Sequence, residues 1–184
     1  MKNECLLGLV GKACSGKDTV AGYLVERYGF RHVSTSDLIR FYVAEHNLGE
    51  PTRDLLRTVG NQLRQEHGAD YLVRLAIQSA SPFSVISGIR AVAEAGALLE
   101  HGTLVLVEAP IELRYKRTVQ RGRESDHISL ETFVTQERAE DQNPDPRAQN
   151  ILLCMEMAGK KVTNTGDLQS LQEQLDIFIK GLLY

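Results

Sequence analysis

"CLLGLVGKACSGKDT", residues 5–19, joins an apolar run to a glycine-bounded loop that ends on a lysine. The run predicts a strand over Cys5 to Val10, and the loop after it predicts a tight turn into a helix that starts at Lys17. The loop nearly spells G-x-x-x-x-G-K-[ST], with Asp18 where the pattern has a hydroxyl and Thr19 one place later. Gly11 and Gly16 permit a backbone path whose N–H groups turn inward, and the helix directs its partial positive end at the same point. Such a loop binds anions. The pattern predicts ATP with Mg2+: Gly11, Lys12, Ala13, Cys14, Ser15, Gly16, Lys17, Asp18 and Thr19 cradle the phosphates. Lys17 reaches the β- and γ-phosphates, and Asp18 or Thr19 faces the metal. The alternative, a glycine-rich turn with a solvated lysine, loses ground because a strand precedes the loop and a helix follows it.

Working outward, 184 residues suit a single domain. Apolar runs alternate with stretches of helical period, the pattern of a parallel sheet wrapped by crossover helices. Strands are expected at Cys5 to Val10, Arg31 to Ser34, Phe83 to Ser87, Leu104 to Glu108 and Lys161 to Thr163. Helices are expected at Lys17 to Tyr28, Ser36 to Glu45, Arg53 to Glu66, Tyr71 to Ser79, Val92 to Leu99, Ile111 to Arg121, Leu130 to Asp141 and Leu168 to Leu182. The fold class is three-layer α/β/α with a five-stranded parallel sheet. The span from Glu50 to Ser81 carries two helices between strands, more than a crossover needs, and reads as a substrate-covering insertion.

Composition excludes several functions. A net charge of -3 gives no basic field for nucleic acid, and no apolar run approaches the ~20 residues that span a bilayer. Three widely spaced cysteines fit neither a disulfide framework nor a metal template, which suits a reducing cytoplasm. No linker divides the chain. A switch GTPase is disfavoured, because "NTGD" at Asn164 to Asp167 lacks the lysine that packs on guanine.

The stretch "HVSTSDLIR", residues 32–40, resembles the "iSTGDlLR" that adenylate-kinase-like nucleoside monophosphate kinases carry after their second strand. Thr35, Asp37 and Arg40 match, and Ser36 replaces a glycine. The resemblance implies a helix that holds the acceptor nucleotide, with Arg40 on its phosphate. A guanidinium forks onto phosphate oxygens, and Asp37 and Arg40 share a helix face. The residues alone equally allow a capped helix with a surface ion pair, Ser34 or Ser36 being the cap.

Three further stretches resemble the dephospho-coenzyme-A kinase and deoxynucleoside-monophosphate kinase branch. They are "PTRDLLRTVGNQLRQEHGADYLV" (51–73), "VISGIRAVAEAGALLEHG" (85–102) and "VEAPIELRYKRTVQRGRESD" (107–126). That branch also often ends its phosphate loop "GKDT". In it a D-G-x-R after the third strand supplies an acid near magnesium and an arginine to the substrate. Arg90 matches the arginine, but Ser87 stands in place of the acid, which then falls to Asp18, Asp37 or Glu108, or else the metal is held mainly by phosphates and water. Arg114, Arg117 and Arg121 recur at helical spacing, with Arg123 after Gly122. The resemblance makes this segment a lid whose arginines close on the transferring phosphoryl group; a solvated basic helix face is the alternative. Asn164 matches the asparagine-containing turn that borders the adenine in these kinases; a simple turn and helix cap is the alternative.

The resemblance therefore implies one kinase domain over residues 1–184, with substrate-binding helices near 36–80 and a lid near 117–145. Lys17, Asp37, Arg117 and Arg121 are the expected catalytic residues. ATP lies on the loop, Arg117 and Asn164. The acceptor lies on Thr35, Asp37, Arg40, Arg90 and Arg123, and Asp18 and Thr19 hold the metal. The expected reaction moves the γ-phosphoryl group of ATP to a (deoxy)nucleoside monophosphate. Transfer to a ribose hydroxyl, as in dephospho-coenzyme A, would need a base, with Asp37 the best candidate. An ATP-binding regulatory protein with little turnover is the competing class. A small nucleotide is the expected partner, and the chain is a monomer or homodimer.

Overall fold

Five strands alternate with nine described helices in a computed structural model that describes residues 4–122, 128–141 and 150–183. The strands are β1 (Cys5–Val10), β2 (Arg31–Ser34), β3 (Phe83–Ser87), β4 (Thr103–Glu108) and β5 (Lys160–Thr163). All pairings are parallel, in the order β2-β3-β1-β4-β5. The helices are α1 (Lys17–Tyr28), α2 (Thr35–Glu45), α3 (Arg53–His67), α4 (Tyr71–Gln78), α5 (Val92–Leu99), α6 (Ile111–Arg121), α7 (Leu130–Asp141), α8 (Ile151–Glu156) and α9 (Leu168–Leu183). Every expected strand and helix is present. No described helix is long and apolar enough to cross a membrane.

A parallel sheet must bury both faces, and the strand composition provides for it. On one face Leu7, Leu9, Val85, Val105, Val107 and Val162 pack against Val20, Ala21 and Leu24 of α1 and Leu171, Leu175 and Ile179 of α9. Tyr23 and Tyr28 of α1 also donate hydrogen bonds to Asp176 Oδ1 of α9, at 2.6 and 2.7 Å. On the other face Val10, Val33, Ile86 and Leu104 meet Val73 and Ala76 of α4, Ala95 and Leu98 of α5 and Cys154 of α8. Gly8 lets α5 come this close, because a Cβ on it would run into Leu98 and stand 2.7 Å from Ile89 Cδ1.

A third apolar cluster joins α2, α3 and α4 through Ile39, Val43, Leu56, Val59, Leu63 and Leu72. These helices fill the interval between β2 and β3, where the sequence predicts an insertion. One element departs from the expectation. Helix α8 has only six residues, too few for periodicity to reveal it. It forms because Asn150 Oδ1 accepts from Leu153 N at 3.2 Å, Asn150 N donates to the Arg90 carbonyl at 2.8 Å, and Cys154 enters the core.

Candidate nucleotide-binding site

The site sits where β1 ends and α1 begins. Gly11 passes so near β4 that a Cβ on it would strike the Val107 carbonyl. Cys14 and Gly16 take left-handed conformations, φ 57° and 101°, and coil the loop back on itself. Gly16 also lies against Asn164, and a Cβ there would overlap the amide nitrogen. No side chain caps α1, so its first N–H groups lack the usual partner. Ser15 Oγ is buried inside the loop without a hydrogen-bond partner. Lys17 Nζ folds back and donates to the carbonyls of Gly11 and Lys12 at 2.7 and 2.9 Å.

These groups fit a polyphosphate. Among the described residues, uncapped N–H groups, a hydroxyl without a partner and an ammonium tied to weak carbonyl acceptors are all donors that an anion would satisfy. The metal fits in a narrower sense. Asp18 and Thr19 are both exposed, and the described residues contain no group of three or more His, Cys, Asp or Glu able to hold an ion. Mg2+ is compatible with such a sparse set, because it keeps several waters and takes most remaining ligands from phosphates. Asp18 and Thr19 are the residues that would hold it, and it would neutralise phosphate charge.

A cleft of about 340 Å3 opens beside the loop, walled by Lys17, Thr19, Arg117, Arg121, Asn164 and Leu168 among others. Arg117 crosses from α6 to the loop: Nη1 donates to the carbonyls of Cys14 and Ser15 at 3.3 and 3.4 Å, and Nη2 to Asn164 Oδ1 at 2.8 Å. Asn164 completes the clamp by donating Nδ2 to the Ser15 carbonyl at 3.0 Å. It is 4% exposed, so it supports the floor of the cleft rather than standing free in it. Arg121 reaches the cleft wall, and Arg123 lies outside the described residues.

Arg114 is not part of a solvated basic face. It is 5% exposed, its guanidinium is bidentate to Glu137 of α7, with Nη2 2.9 Å from Oε2, and its Nε donates to the Ala109 carbonyl at 3.1 Å. Lys12 Nζ of the loop stands 3.8 Å from the same carboxylate. Glu137 therefore ties α7, α6 and the phosphate loop together. Its sequence surroundings, "TQERAED", are polar except for Ala139 and give no sign of burial.

The residues expected to meet an acceptor gather around the start of α2 and the loop after β3. Ser34 caps α2 by accepting from Asp37 N at 3.3 Å, and Asp37 pairs with Arg40 at 3.4 Å, both partly in solvent. Thr35 is buried and donates to the Gly88 carbonyl at 3.0 Å, locking α2 to that loop. Ser87 hydrogen-bonds His32 Nε2 at 2.8 Å, and Glu108 pairs with Lys161 at 3.1 Å. Sequence reading passed over His32, Arg64 and Glu94. Only Glu94 left a signal, a carboxylate in the otherwise apolar "VAEAGALL".

Lys17 has its pKa pulled down to about 8, first by burial and next by the nearby charge of Arg90. The unfolded chain holds this proton up to about pH 10.5, so between the two values the folded protein binds fewer protons and folding stability rises with pH. An anion in the loop reverses the preference, because it favours the ammonium. Nucleotide binding is therefore expected to take up a proton above about pH 8 and to weaken there by up to about tenfold per pH unit. Titration calorimetry of ATP in buffers of different ionisation enthalpy checks this; heats independent of the buffer at pH 9 would contradict it.

With this geometry in hand, comparison places the chain among known proteins. Residues 7–143 match the family described as an AAA domain. A UPF0200 protein of Methanosarcina barkeri is 33% identical over 143 residues, covering 73% of this chain and 76% of the relative. A UPF0200/UPF0201 protein of Archaeoglobus fulgidus is 29% identical over 180 residues, covering 92% of this chain. The chain spans about half, 53%, of that relative's length. Among solved structures, the shikimate kinase of Acinetobacter baumannii, in complex with shikimate, aligns with TM-score 0.62 at 20% identity, over 100% of this chain and 97% of that one. That likeness shows the fold, a P-loop kinase-like α/β/α sandwich. By the residues it matches and the relatives it resembles, the chain belongs to the AAA-domain family and to the UPF0200 proteins.

Proposed function

We propose that the chain is an ATP-dependent kinase that moves the γ-phosphoryl group to a (deoxy)nucleoside monophosphate. The observation that carries this reading is the loop itself: Lys17 Nζ bonded, among the described residues, to loop carbonyls at 2.7 and 2.9 Å, with Arg117 docked across from it. A bound magnesium nucleotide would supply the phosphoryl group. Lys17 would exchange its carbonyl partners for phosphate oxygens, and Arg117 and Arg121 would hold charge that builds on them. Arg40 and Arg90 would orient the acceptor phosphate, and Thr35 would fix the helix that carries Arg40. In this reading α2, α3 and α4 hold the acceptor and the 117–145 segment forms the lid. The three free cysteines suit a cytoplasmic protein.

An acceptor hydroxyl is the second reading, favoured by the shared fold with a shikimate kinase and by an exposed carboxylate, Asp37, beside Arg40. Asp37 would then be the base. ADP release measured against nucleoside and deoxynucleoside monophosphates, dephospho-coenzyme A and shikimate separates the two. The absence of acceptor-dependent turnover despite ATP binding would leave a nucleotide-binding regulator. Asp18 is proposed to replace the acid missing at Ser87. Asp18→Ser is expected to raise the Mg2+ concentration for half-maximal rate about tenfold, since a charged ligand near a sparsely held ion is lost. A Mg2+ titration unchanged from the native chain would refute the assignment.

A further inference from the structure

Arg64 of α3 and Glu94 of α5 form an ion pair sealed from water, with side chains 3% and 0% exposed and Nε to Oε1 at 2.8 Å. The second carboxylate oxygen is also committed. Glu94 Oε2 accepts from Arg90 N at 2.8 Å and from Ala91 N at 3.1 Å, fixing the turn between β3 and α5. One guanidinium is thus connected through a single carboxylate to the backbone of Arg90.

The pair is poorly built for stability alone. Among the described residues neither Arg64 Nη1 nor Asn61 Oδ1, one turn earlier on the same helix, has a hydrogen-bond partner, although both are buried. The crowding is specific as well: a Cβ on Gly60 would stand 3.2 Å from Arg64 Nη1 and 2.9 Å from Ile39 Cδ1 of α2. Arg64 is therefore held where α2, α3 and the Arg90 turn converge. Arg90 in turn carries its charge near Lys17, whose pKa it lowers.

We infer that Arg64 is a positioning residue which, through Glu94, sets the Arg90 turn for an anionic acceptor, a nucleoside monophosphate bound by its phosphate. This rests on the kinase reading for its context, but its test does not need turnover. Unmade hydrogen bonds at a buried site are retained where function requires the arrangement. The pair also couples α3, and with it the apolar unit of α2, α3 and α4, to the strand end that faces the phosphate loop.

The experiment titrates AMP, GMP, CMP and dTMP onto the full chain saturated with Mg2+ and a non-hydrolysable ATP analogue. Arg64→Gln is expected to weaken monophosphate binding at least tenfold while the analogue's affinity stays within twofold. Arg64→Lys keeps the charge opposite Glu94 and is expected to recover part of the loss, and it remains informative if the glutamine variant does not fold. In an Arg90→Ala background the Arg64 change is expected to add less than twofold, because the effect travels through Arg90. Any of three results overturns the inference: no monophosphate bound by the native chain, equal weakening of both ligands, or additive effects with Arg90→Ala. The kinase reading fails separately. A native chain that binds monophosphate in this Arg64-dependent way but releases no ADP would sink that reading and leave the positioning role intact.

Discussion

Lys17→Ala is expected to lower acceptor-dependent ADP release at least ~100-fold, the scale on which phosphate clamps and preorganised charges act in transfer. The size follows from the surroundings of Lys17. Burial lowers its pKa to about 8, so its charge acts across a medium that screens it less than water does. It is also held by loop carbonyls at 2.7 and 2.9 Å, so little reorganisation separates it from a phosphate at the same place. The substitution removes a donor that folds back onto the loop rather than an apolar core side chain, and the thermal midpoint is expected to move by only a few degrees. Steady-state kinetics beside a melting curve checks both. Native turnover in the variant would remove the loop from the mechanism.

The second large effect is on folding. Glu94→Ala is expected to destabilise the chain by about 3–5 kcal/mol, the range for removing one partner of a buried ion pair. For a domain of this size that corresponds to a fall in midpoint of roughly 6–20 °C. The reason is threefold. Arg64, 5% exposed, is left as an uncompensated charge, the N–H groups of Arg90 and Ala91 lose their acceptor, and a cavity opens where the residue is fully buried. Glu94→Gln retains a carbonyl acceptor and is expected to lose distinctly less. Urea or thermal unfolding of the two variants tests the order. Equal losses would mean that the charge contributes nothing and that packing alone accounts for the site.

Much of the candidate site was legible because its signals are short in sequence. Residues 11–19 carry glycines, lysine and helix start within one short loop, and the Ser34 cap with the Asp37–Arg40 pair is equally local. The arginine-rich helix was legible as a set but not residue by residue. Arg114 and Arg117 are three positions apart, yet one is sealed against Glu137 and the other clamps the phosphate loop. Helical spacing gives them neighbouring faces; the packing of α7 on one side and the cleft on the other separates their roles.

The sequence by itself determined the order of strands and helices, the phosphate loop and the parallel sheet, because alternating period and turn chemistry act between neighbours along the chain. Only the tertiary structure decided which charges are buried and what they hold. Arg64 finds Glu94 across 30 residues, Arg114 finds Glu137 across 23, and Asn164 reaches Ser15 across 149. Such pairs form where packing excludes water and brings distant segments together, and no local pattern specifies the partner.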